Sequence, residues 1–228
     1  MRTFVLIPVL NEEEAIGRVI DDIPKDRVEE IVVIDNGSTD NTAAAAREHG
    51  AVVLTETTRG YGHALMEGIR YISAKDPDII VFLDGDYSDF PGEIPKVVRP
   101  IIEEGYDLVI GSRVLGEHEK GALLPQARFG NWLSTGLIRL FWRYRFTDLG
   151  PFRAITFDKF QALNMNELTY GWTVEMQIKA AKKKYKCIDV PVSYRKRIGQ
   201  SKVTGTIGGS VKAGIGILRT IFFSLFHR

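Results

Sequence analysis

Ile79-Ile80-Val81-Phe82-Leu83-Asp84-Gly85-Asp86 is the stretch on which the reading of this chain turns. Five apolar residues, rich in β-branched types, run straight into two carboxylates separated by a single glycine. A short apolar run bounded by polar punctuation reads as a fully buried strand of a parallel sheet. In open α/β sheets the ligand sits outside the carboxyl ends of the strands, so Asp84 and Asp86 emerge where such a protein keeps its chemistry. Residues i and i+2 of an extended segment share one side, so both carboxylates can face one ligand. Gly85 lets the backbone approach that ligand and turn sharply. Two carboxylates this close repel unless a cation lies between them, and the hard, oxygen-seeking ions Mg²⁺ or Mn²⁺ suit them. Such ions usually also hold phosphates, which points to a nucleoside diphosphate. The competing reading is a solvated acidic turn, since Asp-Gly is a common turn pair.

Outward from this strand the same pattern repeats. Phe4 to Val9 reads as a first strand closed by Pro8, after which Asn11 is expected to cap a helix. Glu12, Glu13 and Glu14 would fill that helix's positive first turn, and Ala15, Ile16, Val19, Ile20 and Ile23 its apolar face. Ile31 to Ile34 is a second buried strand, ending in the turn-rich loop Asp35-Asn36-Gly37-Ser38-Thr39-Asp40 before an alanine-rich helix. A short strand from Ala51 to Leu54 precedes Arg59-Gly60-Tyr61-Gly62 and a helix near His63 to Tyr71. After the central strand come a helix around Ile94 to Glu104 and a fifth strand ending at Gly111-Ser112-Arg113. Strands alternating with helices at this interval are the signature of βαβ units and a mostly parallel sheet flanked by helices.

The second half has another character. Gln126 to Tyr144 reads as a helix in which Phe129, Trp132, Leu133, Phe141 and Trp142 interleave with Arg128, Arg139 and Arg143. Such a helix suits a membrane surface, and equally a packed or oligomeric contact. A helix from Trp172 to about Lys183 and a strand from Cys187 to Val192 follow, with Pro191 suggesting an edge position. The basic loop Arg195 to Lys202 leads to an apolar tail from Ile207 to Phe226, too short and too broken by charge to span a bilayer. It would lie in the membrane interface or seal a homodimer. The expected division is a main domain over residues 1–205 and an amphipathic C-terminal helix over 206–228.

At 228 residues, 44% hydrophobic and 26% charged, the chain suits one sizeable globular domain. A net charge of +1 predicts no bulk attraction to nucleic acid. The single cysteine, Cys187, forbids an internal disulfide. Met1-Arg2-Thr3 leads directly into a strand without a signal-peptide pattern, and no run of about 18 uncharged apolar residues occurs. The expectation is a cytoplasmic protein, free or peripheral on the cytoplasmic face of a membrane.

Five segments, in order, now resemble the family 2 glycosyltransferases of the GT-A fold. They are Ile7-Pro8-Val9-Leu10-Asn11-Glu12, Val33 to Asp40, Arg59-Gly60-Tyr61-Gly62-His63-Ala64-Leu65, Leu83-Asp84-Gly85-Asp86 and Gly111-Ser112-Arg113. Within that family the chain is most similar to the dolichyl- or polyprenyl-phosphate sugar synthases, through Asn131, Asp148-Leu149-Gly150-Pro151-Phe152-Arg153 and Gly199-Gln200-Ser201-Lys202. Two departures stand out. Ser88 occupies a position where those synthases commonly carry a metal-holding glutamine, and Leu149-Gly150-Pro151 replaces part of their Ser-Gly-Phe-Arg segment.

The resemblance implies an inverting, metal-dependent transfer of a hexose from a UDP- or GDP-linked sugar, with Mg²⁺ or Mn²⁺ on Asp84 and Asp86. It places Asp35 on the nucleobase and Pro8, Asn11, Glu12, Gly37, Ser38 and Gly60 around the nucleotide. A polyprenyl or dolichyl phosphate acceptor is already ionised and needs cationic positioning rather than a strong base; Arg113, Arg128, Arg195, Arg197, Ser201 and Lys202 are the candidates. The alternative for Asp35 is an Asx-type turn into the following helix. Glu175 fits either a general base for a hydroxyl acceptor or simple complementation of a helix dipole. The alternatives are a soluble family 2 enzyme acting on a sugar, glycan or small-molecule hydroxyl, and a nucleotide-binding scaffold without activity.

Overall fold

The computed structural model describes residues 1–199 and 207–226. In chain order the elements are β1 (Thr3–Val9), α1 (Ile16–Asp21), β2 (Glu30–Asp35), α2 (Thr42–Glu48), β3 (Val52–Thr55), α3 (Tyr61–Ile72), β4 (Ile79–Phe82) and α4 (Ile94–Glu104). They continue with β5 (Leu108–Ser112), α5 (Pro125–Trp142), β6 (Arg153–Thr156), α6 (Phe157–Leu163), α7 (Trp172–Lys182), β7 (Cys187–Pro191) and α8 (Ile207–Phe226).

The strands form one sheet in the order β3-β2-β1-β4-β6-β5-β7. β1 pairs in parallel with β2 and β4, β2 with β3, and β5 with β7; β6 alone runs antiparallel, between β4 and β5. Alternation sorts the apolar side chains onto two faces. Phe4, Leu6, Ile80 and Phe82 pack toward Leu65 of α3, Trp172 of α7 and Ile138 of α5. Val5, Ile7, Ile79 and Val81 pack toward Ile16 and Ile20 of α1 and Val97 of α4. Both faces are covered, which is why β4 is apolar at every position. Pro191 sits in the edge strand β7, where a missing N–H leaves no neighbour unpaired.

After β1 the chain winds outward through β2 and β3, then returns to lay β4 against the other flank of β1. The order reverses between the carboxyl ends of β1 and β4, and a reversal of this kind opens a crevice. Asp84 and Asp86 stand at its edge.

The start of α1 differs from expectation. Asn11 does not cap it: the helix begins at Ile16 with Ala15 at the cap, and Asn11 has a left-handed φ of +54°. Its amide donates to Ser38 Oγ (2.9 Å), and its side-chain oxygen accepts from the Thr39 amide (2.8 Å). The local cap signal lost to a tertiary one that stitches together the loops after β1 and β2. The apolar face of the helix forms as expected, with Ala15, Ile16, Val19, Ile20 and Ile23 all buried.

The expected boundary near residue 205 falls outside the described residues. α8 packs on the main body, placing Ile221 in the core shared with α5 and α7 and flanking it with Ile217 and Leu218. Arg153 is a buried tie between sheet and helix. Only 1% exposed, it donates to the carbonyls of Gly150 (3.1 Å), Leu149 (3.1 Å) and Thr173 (3.0 Å), and burial lowers its pKa to about 10. Arg153→Met should lower unfolding stability by at least about 2 kcal/mol, because each orphaned buried carbonyl costs about 1–3 kcal/mol. A urea titration checks this, and an unchanged midpoint would show that water replaces the guanidinium.

Candidate active site

A cavity of about 560 Å³ occupies the crevice. Pro8 and Val9 reach it from β1, Asp84 and Asp86 from the turn after β4, and Arg113 and Arg197 from the second half of the chain. Gly85 has a packing role: a Cβ there would lie 2.5 Å from Val9 Cγ1, so only glycine lets the acidic turn settle onto the end of β1.

Each carboxylate has a distinct set of partners. Asp84 Oδ1 accepts from the Tyr61 hydroxyl (3.2 Å). Asp86 Oδ1 accepts from the amide (2.9 Å) and hydroxyl of Ser88, while Oδ2 lies 3.1 Å from Arg197 Nη1. Ser88, at the position where a metal-holding glutamine is common among the synthases, orients Asp86. Burial and then the charge of Asp86 push the Asp84 carboxyl up to about 7. Asp89 joins this group without having been singled out from the sequence. It is 1% exposed, and neither carboxylate oxygen has a hydrogen-bond partner among the described residues. Burial, then the charges of Asp84 and Asp86, raise its pKa well above the carboxylate range.

The arginines separate into different roles. Arg113 forms a fork with Asp148, Nε to Oδ2 at 2.8 Å and Nη2 to Oδ1 at 2.7 Å, and lies 5.1 Å over the Tyr194 ring. Burial opposes both charges, but the pairing wins and holds Asp148 below its usual pKa. Arg197 bridges Asp86 and Glu12, with Nη2 at 2.6 Å from Glu12 Oε1. Arg195 turns elsewhere: it stacks on Tyr87 and Phe90, bonds the Tyr87 carbonyl (2.6 Å) and pairs with Asp22 (3.2 Å). Arg128 is exposed on α5 and does not line the cavity. Ser201 and Lys202 lie outside the described residues.

On the other side, Gly60 and Glu12 line the cavity. Asp35, at the end of β2, accepts the Ser38 amide (2.8 Å) in a tight turn, the alternative raised by the sequence. Gly37 has φ +83°, a conformation that favours glycine, and it lies beside the Arg59 guanidinium, which lines the cavity. Asn36 also lines it and clamps the following loop, donating to the carbonyls of Glu56 (2.9 Å) and Thr58 (2.8 Å) and accepting from the Gly60 amide (2.8 Å). Its partners are 20 to 24 residues away, so spacing gave no sign of them.

Glu175 is absent from this cavity. It is buried on α7, pairs with Lys179 (2.9 Å) and accepts the amides of Asn166 and Glu167. The segment it holds continues to Leu168, whose carbonyl accepts the amides of Gly62 (3.0 Å) and His63 (3.2 Å) at the start of α3. Both carboxylate oxygens of Glu175 have partners in that network.

The sequence matches the model of glycosyl transferase family 2 over residues 4–163. An uncharacterized glycosyltransferase of Mycobacterium tuberculosis is 34% identical over 220 residues, covering 95% of this chain and 96% of its own. A dolichyl-phosphate hexose transferase of Haloferax volcanii is 33% identical over 211 residues (90% and 88%). An undecaprenyl-phosphate mannosyltransferase of Micrococcus luteus is 27% identical over 230 (94% and 93%). Among solved structures, glucosyl-3-phosphoglycerate synthase of M. tuberculosis in complex with Mn²⁺, UDP-glucose and phosphoglyceric acid has a TM-score of 0.79 at 23% identity, covering 99% of this chain and 80% of that one. The chain therefore belongs to glycosyl transferase family 2. Its fold is GT-A.

The unpaired Asp89 carboxyl makes a prediction about stability. Its folded pKa lies above the unfolded value, so the folded protein binds the extra proton between the two, and stability falls as pH rises through that window. Asp89→Asn should therefore unfold at a higher temperature than the parent at about pH 8, by the equivalent of about 1–3 kcal/mol, and the gap should shrink toward about pH 4. Thermal scans of the metal-free protein test this; a gap independent of pH would mean that the carboxyl is not the source.

Proposed function

We propose that this glycosyltransferase moves a hexose from a UDP- or GDP-linked sugar to a polyprenyl or dolichyl phosphate, with Mg²⁺ or Mn²⁺ held by Asp84 and Asp86. The observation that carries the reading is the pair of crowded carboxylates at the switch point, facing the same cavity as Arg59, Arg113 and Arg197. Carboxylate oxygens are the donor set these hard ions prefer, and the raised Asp84 pKa shows how poorly the pair tolerates its own charge. A bound divalent ion supplies Lewis-acid stabilisation of the departing diphosphate. Asn11, Glu12, Asp35, Gly37, Ser38 and Gly60 would form the nucleotide side. Arg113 and Arg197 would meet the acceptor phosphate.

The acceptor follows from what the cavity lacks. Among the described residues, the carboxylates lining it are Glu12, Asp84 and Asp86, and Glu12 is paired with Arg197. With Glu175 elsewhere, the described residues offer no further carboxylate there to activate a hydroxyl, whereas a phosphate monoester arrives ionised. Two relatives are named for polyprenyl-type phosphates, which supports the same class.

A membrane contact fits this acceptor. No helix among the described residues is long and apolar enough to cross a membrane. α5 and α8 contain no aspartate or glutamate; they carry Arg128, Arg139, Lys212 and Arg219. Between these cations they expose Phe129, Trp132, Leu140, Phe222 and Phe226, and Phe141 and Phe222 touch edge-on across the two helices (6.2 Å). Basic, aromatic and acid-free, this face suits an anionic bilayer surface. It adjoins the cavity rim, because Asn131 of α5 accepts the Leu149 amide (2.8 Å) and Tyr170 packs against Gly216 of α8.

A donor screen with a short polyprenyl phosphate, reading released nucleoside diphosphate, should identify one UDP- or GDP-sugar. Asp86→Asn should then lower turnover by at least about a thousandfold, equivalent to about 4 kcal/mol of lost charge stabilisation. Turnover only with hydroxyl acceptors would replace the lipid phosphate reading. In flotation, the protein should rise with phosphatidylglycerol vesicles and not with phosphatidylcholine, and Trp132→Glu should abolish the association; equal recovery on both lipids would remove the charged-surface argument.

A further inference from the structure

Asp86 has no idle oxygen. Ser88 holds Oδ1 through an amide and a hydroxyl, and Arg197 covers Oδ2 at 3.1 Å. The Ser88 contacts span two residues and form one tight turn, so they are part of how the backbone is folded there. The Arg197 contact is made by a long side chain from a distant segment. That segment is laid along the acidic turn by two backbone bonds, Arg195 amide to Ser88 carbonyl and Ile198 amide to Asp86 carbonyl, each 2.9 Å. The Arg197 fork spans both rims of the crevice, with Glu12 at the end of β1 and Asp86 after β4.

Resting on the metal reading above, we propose that Arg197 is a resident cation that must surrender Asp86 before a divalent ion can take it, and that the same guanidinium is thereby freed to receive the acceptor phosphate. A divalent ion and a guanidinium cannot share Oδ2 without strong mutual repulsion, and of the two groups on Asp86 only the arginine can withdraw without unfolding the turn. Guanidinium pairs as well with phosphate as with carboxylate, so the fork that leaves Asp86 is already suited to the next partner. Tethered by the Ile198 and Arg195 amides, it remains at the cavity. Metal and donor then bind first and the acceptor second, an order set by one side chain that cannot occupy two places.

The test measures metal binding without turnover. Mn²⁺ titrations followed by electron paramagnetic resonance would compare the parent protein with Arg197→Gln and Asp86→Asn, all without nucleotide. Arg197→Gln should bind Mn²⁺ about tenfold more tightly, since a charge-assisted hydrogen bond no longer competes. With ¹⁵N-arginine labelling, the Arg197 side-chain resonance, assigned by its loss in Arg197→Gln, should shift when Mg²⁺ is added to the parent protein. Equal or weaker Mn²⁺ binding by Arg197→Gln, or an unmoved Arg197 resonance at saturating Mg²⁺, overturns the gate while Asp86→Asn losing Mn²⁺ leaves the metal assignment standing. Wild-type affinity in Asp86→Asn overturns the metal assignment and the gate with it.

Discussion

Repulsion among carboxylates in a poorly solvated turn governs the surroundings of the crevice. Asp84, Asp86 and Asp89 fall within one short stretch after β4, and burial raises the cost of every charge they carry. Groups in that position must be protonated, hydrogen-bonded or balanced by a cation. The neighbours supply what the fold can reach: the Ser88 amide and hydroxyl, the Tyr61 hydroxyl and the Arg197 guanidinium. Their number falls short at Asp89, whose oxygens have no hydrogen bond among the described residues. An unrelieved negative field at the end of the central strand is a poor arrangement for stability and a good one for capturing a divalent ion.

Across the cavity the compensation is nearly complete. Asp148 is fully buried and takes three donors from Arg113, counting its backbone amide at 2.8 Å. Gln177 donates to the Asp148 carbonyl (2.9 Å), and Asn131 bonds both Thr147 and Leu149. Three separate elements therefore fix residues 147–149, and Arg113 is locked in orientation with its charge only partly spent. Leu149 and Pro151 from this segment line the cavity beside that guanidinium. An apolar wall next to a rigid cation is compatible with the proposed acceptor, which has a charged head and a hydrocarbon tail.

Sheet and crevice were readable because local pattern and global fold agree there. The uninterrupted apolar run of β4 reports burial on both faces, and the acidic pair follows at the strand's end, where topology places the ligand. The failures share a cause. Asn11 and its glutamates carry a strong cap signal, yet its amide donates to Ser38 and its side-chain oxygen accepts from Thr39, 27 and 28 residues away. Arg195 and Arg197 are indistinguishable by spacing, and only the Tyr87 and Phe90 rings decide that one stacks while the other faces the carboxylates. Asp89 drew no notice because nothing local says that the segment at Tyr194 will bridge to it. Periodicity encodes which face is inward; it does not encode which distant loop will arrive to cover a polar group.

Glu175, left open between two roles by the sequence, bears on mechanism. A helix-start glutamate near a glycosyltransferase cavity invites a role as base, but its oxygens are filled by Lys179 and the amides of residues 166 and 167. Those amides anchor the segment whose Leu168 carbonyl receives the first amides of α3, and α3 begins with Tyr61, the donor to Asp84. A chain of hydrogen bonds through backbone thus runs from Glu175 to the start of the helix that carries the tyrosine. Among the described residues, that leaves Glu12, Asp84 and Asp86 as the carboxylates lining the cavity. In the lipid-phosphate reading proposed above, an acceptor anionic on arrival would ask only for positioning, and the cations placed for it are Arg113, locked on Asp148, and Arg197, shared between Glu12 and Asp86.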